Sequence, residues 1–401
     1  MVATLTSALG ILKEVYEGDI NNQLNEEKVL MKRIESSTSG VFENAGGKYV
    51  VFPVRTARNQ GISYRAENAQ LGAAGQQGYA STQEMLKYGY GRVRLTGQLM
   101  ELAETNAQAF ANAADAEMSG LKEDVVKDSN RIAWGAYQGT VNVTGVISRV
   151  TAGSATSTVA APTFGSIQPG MVIDIVDNTG TPVAGGTALT VTAAAPYAGS
   201  FTVSAAVTTV TGNNIVRSGD ANREPNGILG LVGNTGTIHN INSATAGNEY
   251  WQSYVDSTTT TLTEAAMIQA CDGIRRLGGK RPTAIFASLG VRRAYFNLMT
   301  SLRRYNEPKE FSGGLIGLAF NYEKELPVVS DVDAPDKTMV FLCEPEIKEY
   351  RTKPWYFAAN DGSIFKYVMD YDAWEVLLKQ YWQLVTHQRN AHAKMTNITE
   401  A

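Results

Sequence analysis

The chain has 401 residues, room for two or three domains at about 150 residues each, and long enough to bury a core without disulfide staples. Its 35 Lys+Arg against 39 Asp+Glu leave a net charge of −4, which excludes a polybasic coat over the whole surface. Charged residues are only 18% while Gly numbers 38, a balance that suits an ordered, loop-rich protein covering much of its surface with partners, and not a disordered chain.

Residues 1–40 repeat Leu12, Val15, Ile20, Leu24, Val29 and Ile34 at helical spacings. Gly18 and Asn21-Asn22 interrupt the pattern, so short helices in an arm are expected, ending at Ser36–Gly40. Tyr49–Val54 then reads as a strand whose Pro53 suits an edge. Met85–Leu95 reads as the returning strand of a long hairpin, with Arg92-Val93-Arg94-Leu95 alternating by two. Between them, residues 57–81 are rich in Gly, Ala and Gln, with Tyr64, Leu71 and Tyr79 as isolated anchors. A two-stranded ribbon is marginal alone in water, so this one is expected to lie on a neighbour.

Residues 98–138 carry the strongest helical face, through Phe110, Ala114, Met118, Leu121, Val125 and Ile132. From 140 to 218 the composition changes abruptly: Arg149, Asp174, Asp177 and Arg217 are the only charges. Strand runs such as Met171–Val176 and Phe201–Val203, with a turn at Asp177–Gly180, predict a small β-sandwich or barrel. Its expected core is Val172, Ile173, Ile175, Leu189, Phe201 and Val203. Mixed α/β texture follows: helices over 263–277 and 290–305, strands at 283–287, 328–329 and 339–342. The last strands, 364–368 and 374–378, lead into a tail rich in Gln and His.

No motif makes an active site. Cys271 and Cys343 read as small buried hydrophobes of a reducing compartment. His239, His387 and His392 are too sparse for a metal cluster. Gly278-Gly279-Lys280-Arg281 fails the phosphate-loop pattern at two positions, and Gly89-Tyr90-Gly91 opens no helix. Carboxylate pairs such as Glu344 and Glu346 read as solvated surface. The segment Met1–Leu12 lacks the basic start of a signal peptide, and no apolar run reaches the roughly 18 residues of a membrane span. A soluble protein made in the cytoplasm is expected, and not an enzyme. One charge pattern is less random: Arg275, Arg276, Lys280, Arg281, Arg292, Arg293, Arg303 and Arg304 fall in 275–304 with no acid among them. Such a face either pairs with acidic groups, including a neighbouring subunit's, or meets phosphate without sequence preference.

The order of parts carries a resemblance. An amphipathic arm, a long Gly-rich hairpin, a long helix and an α/β domain follow one another as in the major capsid proteins of tailed bacteriophages with the HK97-type fold. Pro225-Asn226-Gly227-Ile228-Leu229 resembles that family's Pro-x-Gly-Ile-Leu segment, which normally follows the long helix closely. Thr352–Trp355, Gly362–Phe365 and Asp372–Val376 resemble its closing pattern. The resemblance implies an α+β fold with an N-terminal arm (1–40), an extended loop with its adjoining strand (41–97), and a spine helix of a peripheral domain (98–139). It further implies an inserted β domain (140–218), an axial domain (219–349), and peripheral strands with a C-terminal tail (350–401). In function it implies self-assembly as pentamers and hexamers into an icosahedral head enclosing packaged double-stranded DNA, assembled in the host bacterial cytoplasm.

No cofactor and no membrane are implied. Expected partners are other copies, a portal, a decoration protein, a maturation protease and, because only about 40 residues precede the loop, a separate scaffolding protein. Residues Arg58, Tyr64, Arg65, Glu67, Leu71 and Tyr79 are expected between subunits. An encapsulin-like shell around enzyme cargo is the alternative on the same fold. A β-rich adhesion or decoration protein would leave the long helix unexplained, and an enzyme with a lid lacks any titratable cluster.

Overall fold

The computed structural model describes residues 28–37, 49–98, 107–135, 143–162, 167–303, 318–359 and 363–401. Most of the expected arm, the side chains of Phe110 and Ala114, residue Gly139, the Arg303 side chain and Arg304 lie outside the described residues.

In chain order, β1 (Glu35–Ser37) precedes the strands β2 (Tyr49–Ala57), β3 (Gly78–Met85) and β4 (Lys87–Thr96), then helix α1 (Ala107–Trp134). Six strands follow: β5 (Val146–Arg149), β6 (Ala155–Ala160), β7 (Val172–Val176), β8 (Leu189–Ala195), β9 (Ser200–Thr208) and β10 (Asn214–Arg217). Next come the short α2 (Ile228–Leu231), β11 (Tyr254–Asp256), α3 (Glu264–Gly278), β12 (Ala284–Ala287) and α4 (Leu289–Arg303). Then come β13 (Ala319–Tyr322), β14 (Lys324–Ser330), β15 (Met339–Leu342) and β16 (Ile347–Arg351). The chain closes with β17 (Tyr356–Phe357), β18 (Phe365–Tyr367), β19 (Ala373–Thr386) and β20 (Ala393–Met395).

The first sheet is organised by β19, 14 residues long, which pairs with β4, β16, β17 and β18, while β1 adds to β16. Its alternation puts Val93 and Val376 on the face toward α1 and Arg94 and Glu375 on the other. Gly91 lets the helix come close, since a Cβ there would lie 3.1 Å from Leu121 and 3.3 Å from Val125. The second sheet runs β11-β20-β15-β12-β14-β13. Its β12, Ala-Ile-Phe-Ala, is buried on both faces, as a continuous apolar run in a covered sheet should be. Ile285 and Phe341 meet α3 and α4 through Met267, Ile274 and Tyr295. Phe286 and Val340 meet the end of α1 at Trp134, together with Leu30, Ile228 and Trp382.

Strands β5–β10 form their own sheet in the order β5-β10-β7-β8-β9-β6. Beyond β5 the chain meets β6 through a bridge between Ala152 and Ala160, with Thr151 N–H donating to the Ala160 carbonyl (2.8 Å), so the sheet closes into a small barrel. Its core holds Ile173, Ile175, Leu189, Val191, Phe201, Val203 and Ile215. Val172, expected in that core, is exposed instead, because it begins β7 on the outward side.

The hairpin is the largest correction. β2 pairs with β3, Tyr49 opposite Met85 and Pro53 opposite Ser81, whereas β4 leaves the hairpin and runs ten residues along β19. The alternation at Arg92–Leu95 therefore belongs to the body. The end of the chain also departs from a simple tail: β20 enters the second sheet between β11 and β15, and Ile398 is buried beyond it.

Candidate assembly surface

The hairpin projects beyond any apolar support at its tip. Ile62 (79% exposed), Tyr64 (98%) and Leu71 (85%) have no core beneath them, and Tyr79 just below is also exposed. The tip nevertheless keeps a shape. Asn59 Nδ2 donates to the Gly75 carbonyl (3.0 Å), and Gly61 N–H donates to Asn59 Oδ1 (2.7 Å). Gly61 and Gly75 permit this, since a Cβ on Gly61 would stand 2.6 Å from the Gly75 nitrogen. Arg58, Arg65 and Glu67 flank the apolar anchors and are largely solvent-facing.

The hairpin's base is held by apolar and polar contacts. Val50 and Leu86 pack on Tyr350 and Val385. Beside them Glu84 accepts from Asn226 Nδ2 (3.0 Å) and Gln383 Nε2 (2.9 Å) on one oxygen. On the other it meets His239 Nδ1 at 2.9 Å. Thr386 N–H donates to His239 Nε2 (3.1 Å), so the ring's proton sits on Nδ1 and is donated to Glu84. The ring that the sequence left without a role thus ties the hairpin to β19.

A half-buried ionic hub joins α1 to the chain leaving the barrel. Asp128 accepts from Arg131 Nε (2.7 Å) and Arg217 Nη1 (2.8 Å), and Arg131 reaches Glu224 (2.7 Å). Burial alone would push the Asp128 carboxyl up, but Arg131 and Arg217 hold it below the usual carboxylate range. Burial dominates at Glu224 and raises its pKa despite Arg131. A cavity of about 390 Å³ opens between this hub, Leu121 and Val125 of α1, Tyr90 of β4, and Trp355. Nearby, Thr144 and Asn222 exchange hydrogen bonds, and a Cβ on Gly227 would lie 2.5 Å from Gly135. The two ends of the barrel segment, and the end of α1 with Pro225–Leu229, are therefore neighbours in space.

The cations of 275–304 are largely engaged. Arg275 and Arg281 both reach Glu323, and Lys280 reaches Glu346 (2.9 Å). Arg292 donates to Ser330 Oγ (2.7 Å) and Arg293 to the Ala401 carbonyl (2.5 Å), while Arg276 is exposed. Glu344 and Glu346 are not idle surface, since Glu344 binds Arg33 (2.5 Å) and Thr283 Oγ1 (2.7 Å). Burial pushes the Cys271 thiol up to about 12 and His392 down to about 3, so both are neutral parts of the core. Among the described residues no helix is long and apolar enough to cross a membrane.

No protein-family profile matches the chain, and no curated protein matches it. Solved structures do. The chain is similar to one in the capsid asymmetric unit of cyanophage A-1(L), with a TM-score of 0.60 and 13% identity over 99% of this chain and 100% of that one. It is also similar to a chain of the capsid of a native GTA particle (TM-score 0.49, 9% identity, 100% of both chains). The encapsulin of a holo-SrpI complex from Synechococcus elongatus PCC 7942 is another similar chain (TM-score 0.46, 9% identity, 99% of this chain and 96% of that one). The cyanophage likeness spans both chains end to end and shows the fold: this chain folds as a phage capsid protein does.

Proposed function

We propose that this chain is the major capsid protein of a tailed bacteriophage, of the HK97 type, assembling as pentamers and hexamers into an icosahedral head that encloses DNA. The observation that carries the reading is the hairpin tip: Ile62, Tyr64 and Leu71 stand in solvent on a shaped scaffold, in a chain with the fold of a cyanophage capsid protein. Large apolar side chains held out in this way suit a partner surface, and an adjacent copy is the partner the fold offers. In this reading the hairpin is the extended loop, α1 the spine helix, and the second sheet with α3 and α4 the axial domain. The barrel is an inserted domain, supported by its self-contained strand pairing and the proximity of Thr144 to Asn222. A separate scaffolding protein, a portal and a decoration protein are the expected partners, and the protein is a structural component of the virion and not an enzyme.

Electron microscopy of the overexpressed protein, alone and with its scaffolding protein, tests this. Closed icosahedral shells are expected, and their loss in a Tyr64→Ala/Leu71→Ala variant. A chain that stays monomeric with its scaffold overturns the proposal, and shells filled with enzyme and free of nucleic acid would make it encapsulin-like. Residues 57–81 contain no lysine. Subunits are therefore expected to run as monomers on a denaturing gel, without the covalent ladder of cross-linked shells.

A further inference from the structure

The face of the first sheet turned away from α1 carries, beyond the hairpin's base, a cluster of cations and tyrosines. On β4 the residues opposite the helix side are Tyr88, Tyr90, Arg92 and Arg94, all exposed. Their cross-strand partners put Tyr381, Lys379 and Glu375 on the same face, and Tyr356 joins them opposite Lys379. Lys353 and Lys379 each hold their ammonium 5.4 Å from the centre of the Tyr356 ring. The Arg94 guanidinium lies 4.9 Å from that of Tyr371. Tyr88 meets Tyr381 edge to face at 4.9 Å.

Arg92, Arg94, Lys353 and Lys379, with Lys366 opposite Glu375 on β18, therefore share this face with the carboxylate of Glu375, which takes Arg92 at 2.5 Å and Arg94 only at 3.9 Å. Arg92 remains 62% exposed and Arg94 43%, so both keep donors free for a ligand. Within 275–304, Arg275, Arg281 and Lys280 share two carboxylates, Glu323 and Glu346, whereas on the sheet face Glu375 alone stands among a larger excess of cations.

We infer that this sheet face is a binding surface for the phosphate backbone of double-stranded nucleic acid; the inference rests on the reading of the chain as a subunit that encloses DNA. Alternate side chains recur about every 6.8 Å along a strand, while a duplex carries a charge about every 1.7 Å of its axis, so several phosphates fall within reach of these cations together. Arginines, lysines and tyrosine hydroxyls are the groups that hold phosphates without reading bases. The shortage of aliphatic side chains on this face decides between polyanions. Residues 1–27 of another copy carry five acids and one lysine, but their apolar residues would find only half-buried Leu377 as an aliphatic neighbour here. A duplex asks for no apolar groove.

The test is fluorescence anisotropy of unassembled full-length subunits with a labelled duplex of random sequence across a salt series. The Arg92→Gln/Arg94→Gln/Lys353→Gln/Lys379→Gln variant is expected to bind at least about tenfold more weakly, with a salt slope smaller by about 0.9 for each lost contact. Lys280→Gln/Arg281→Gln should stay within about twofold of wild type, and Arg92→Lys/Arg94→Lys should keep the slope, because charge and not guanidinium geometry carries the contact. Should the fourfold variant misfold, the Lys353→Gln/Lys379→Gln pair carries the test with half the change in slope. Unchanged binding in the folded variant overturns the inference, as does a synthetic peptide of residues 1–27 that displaces the duplex from wild type. Micrographs of the same preparations keep the two readings apart: shells that form normally from a variant with undiminished DNA binding sink the inference and leave the shell standing.

Discussion

The barrel and the hairpin both extend from the same body, and they solve opposite problems. Inside the barrel Ile173, Ile175, Val191 and Ile215 are essentially inaccessible, and the described strands of the segment pair with one another. In the hairpin the apolar contacts stop at the base, with Val50 and Leu86 on the body, while the tip has none. By composition the barrel segment looks the more needy, having four charges in residues 140–218. Alternation reverses that ranking: a strand with apolar residues at every second position closes on itself, whereas three isolated anchors cannot. Independence is set by how apolar residues are spaced, and charge content says little about it.

The ionic hub gives the sharpest way to break this comparison. Arg131→Met leaves Asp128 and Glu224, 19% and 11% accessible, without their shared cation, and the expected cost is about 3 kcal/mol, the low end for breaking a buried pair. Arg217, the barrel's own contribution, is 41% exposed, and Arg217→Met is expected to cost less than half as much. Denaturant titration of both checks it; equal losses would mean that the body depends on the barrel. Next in size is Ile175→Ala, which opens a cavity in the barrel core at a cost of about 2–5 kcal/mol. Calorimetry should show that loss in a separate barrel transition, absent from a variant in which a short Gly-Ser link replaces Val146–Arg217. If the body's transition moves with it, the barrel is not a unit.

Acid separates the two regions again. His392 lies in the body, where Cys343 N–H donates to its Nδ1 (3.3 Å) and its Nε2 meets Thr386 Oγ1 (3.1 Å). Burial holds it down to about 3, against roughly 6.5 in the unfolded chain. As pH falls below 6.5 the unfolded chain takes up the proton first, so stability is complete above that value and drains away toward pH 3. At pH 5 the loss is about 2 kcal/mol, at about 1.4 kcal/mol per unit. Lys394, pushed down to about 8 by burial and by Arg389, acts in the same sense at higher pH: the body gains stability as pH rises from 8 toward 10.5. Glu224 and Glu349, raised by burial, oppose the acid effect. The difference between wild type and His392→Gln isolates the histidine, and it should vanish in the barrel's transition.

Local signals in the sequence placed half of the elements named above. Thr263 was visible as a helix start, and its Oγ1 does accept from Ala266 N–H at 3.2 Å; Met339–Leu342 was read to its ends. Partner choice was not visible. β3 lies where the spacing suggested a loop, because Gly78–Met85 is polar on both faces and acquires strand character only from β2. β19 was read at five residues and runs to 14, since the Lys-Gln-Tyr-Trp-Gln stretch alternates only against β4 and β16. The Glu84 latch and the Asp128 hub join residues 84 with 383 and 128 with 217, separations at which a lone charge in a strand or helix carries no local mark. The one available sign of the cationic sheet face was the alternation of Tyr88, Tyr90, Arg92 and Arg94.

The smallest expected effect is the one that most sharpens the contrast. Tyr64 and Leu71 are 98% and 85% exposed in the isolated subunit, so truncating them removes almost no buried area, and surface substitutions of that kind fall within about 0.5 kcal/mol. The tip's shape comes from Asn59 and the Gly61–Gly75 approach, which neither substitution touches. Chemical denaturation of unassembled Tyr64→Ala/Leu71→Ala subunits should therefore superimpose on wild type in midpoint and slope. A stability loss near the 2–5 kcal/mol of a core truncation would mean that the tip rests on its own subunit, and the hairpin would then belong with the barrel as a part that supplies its own support.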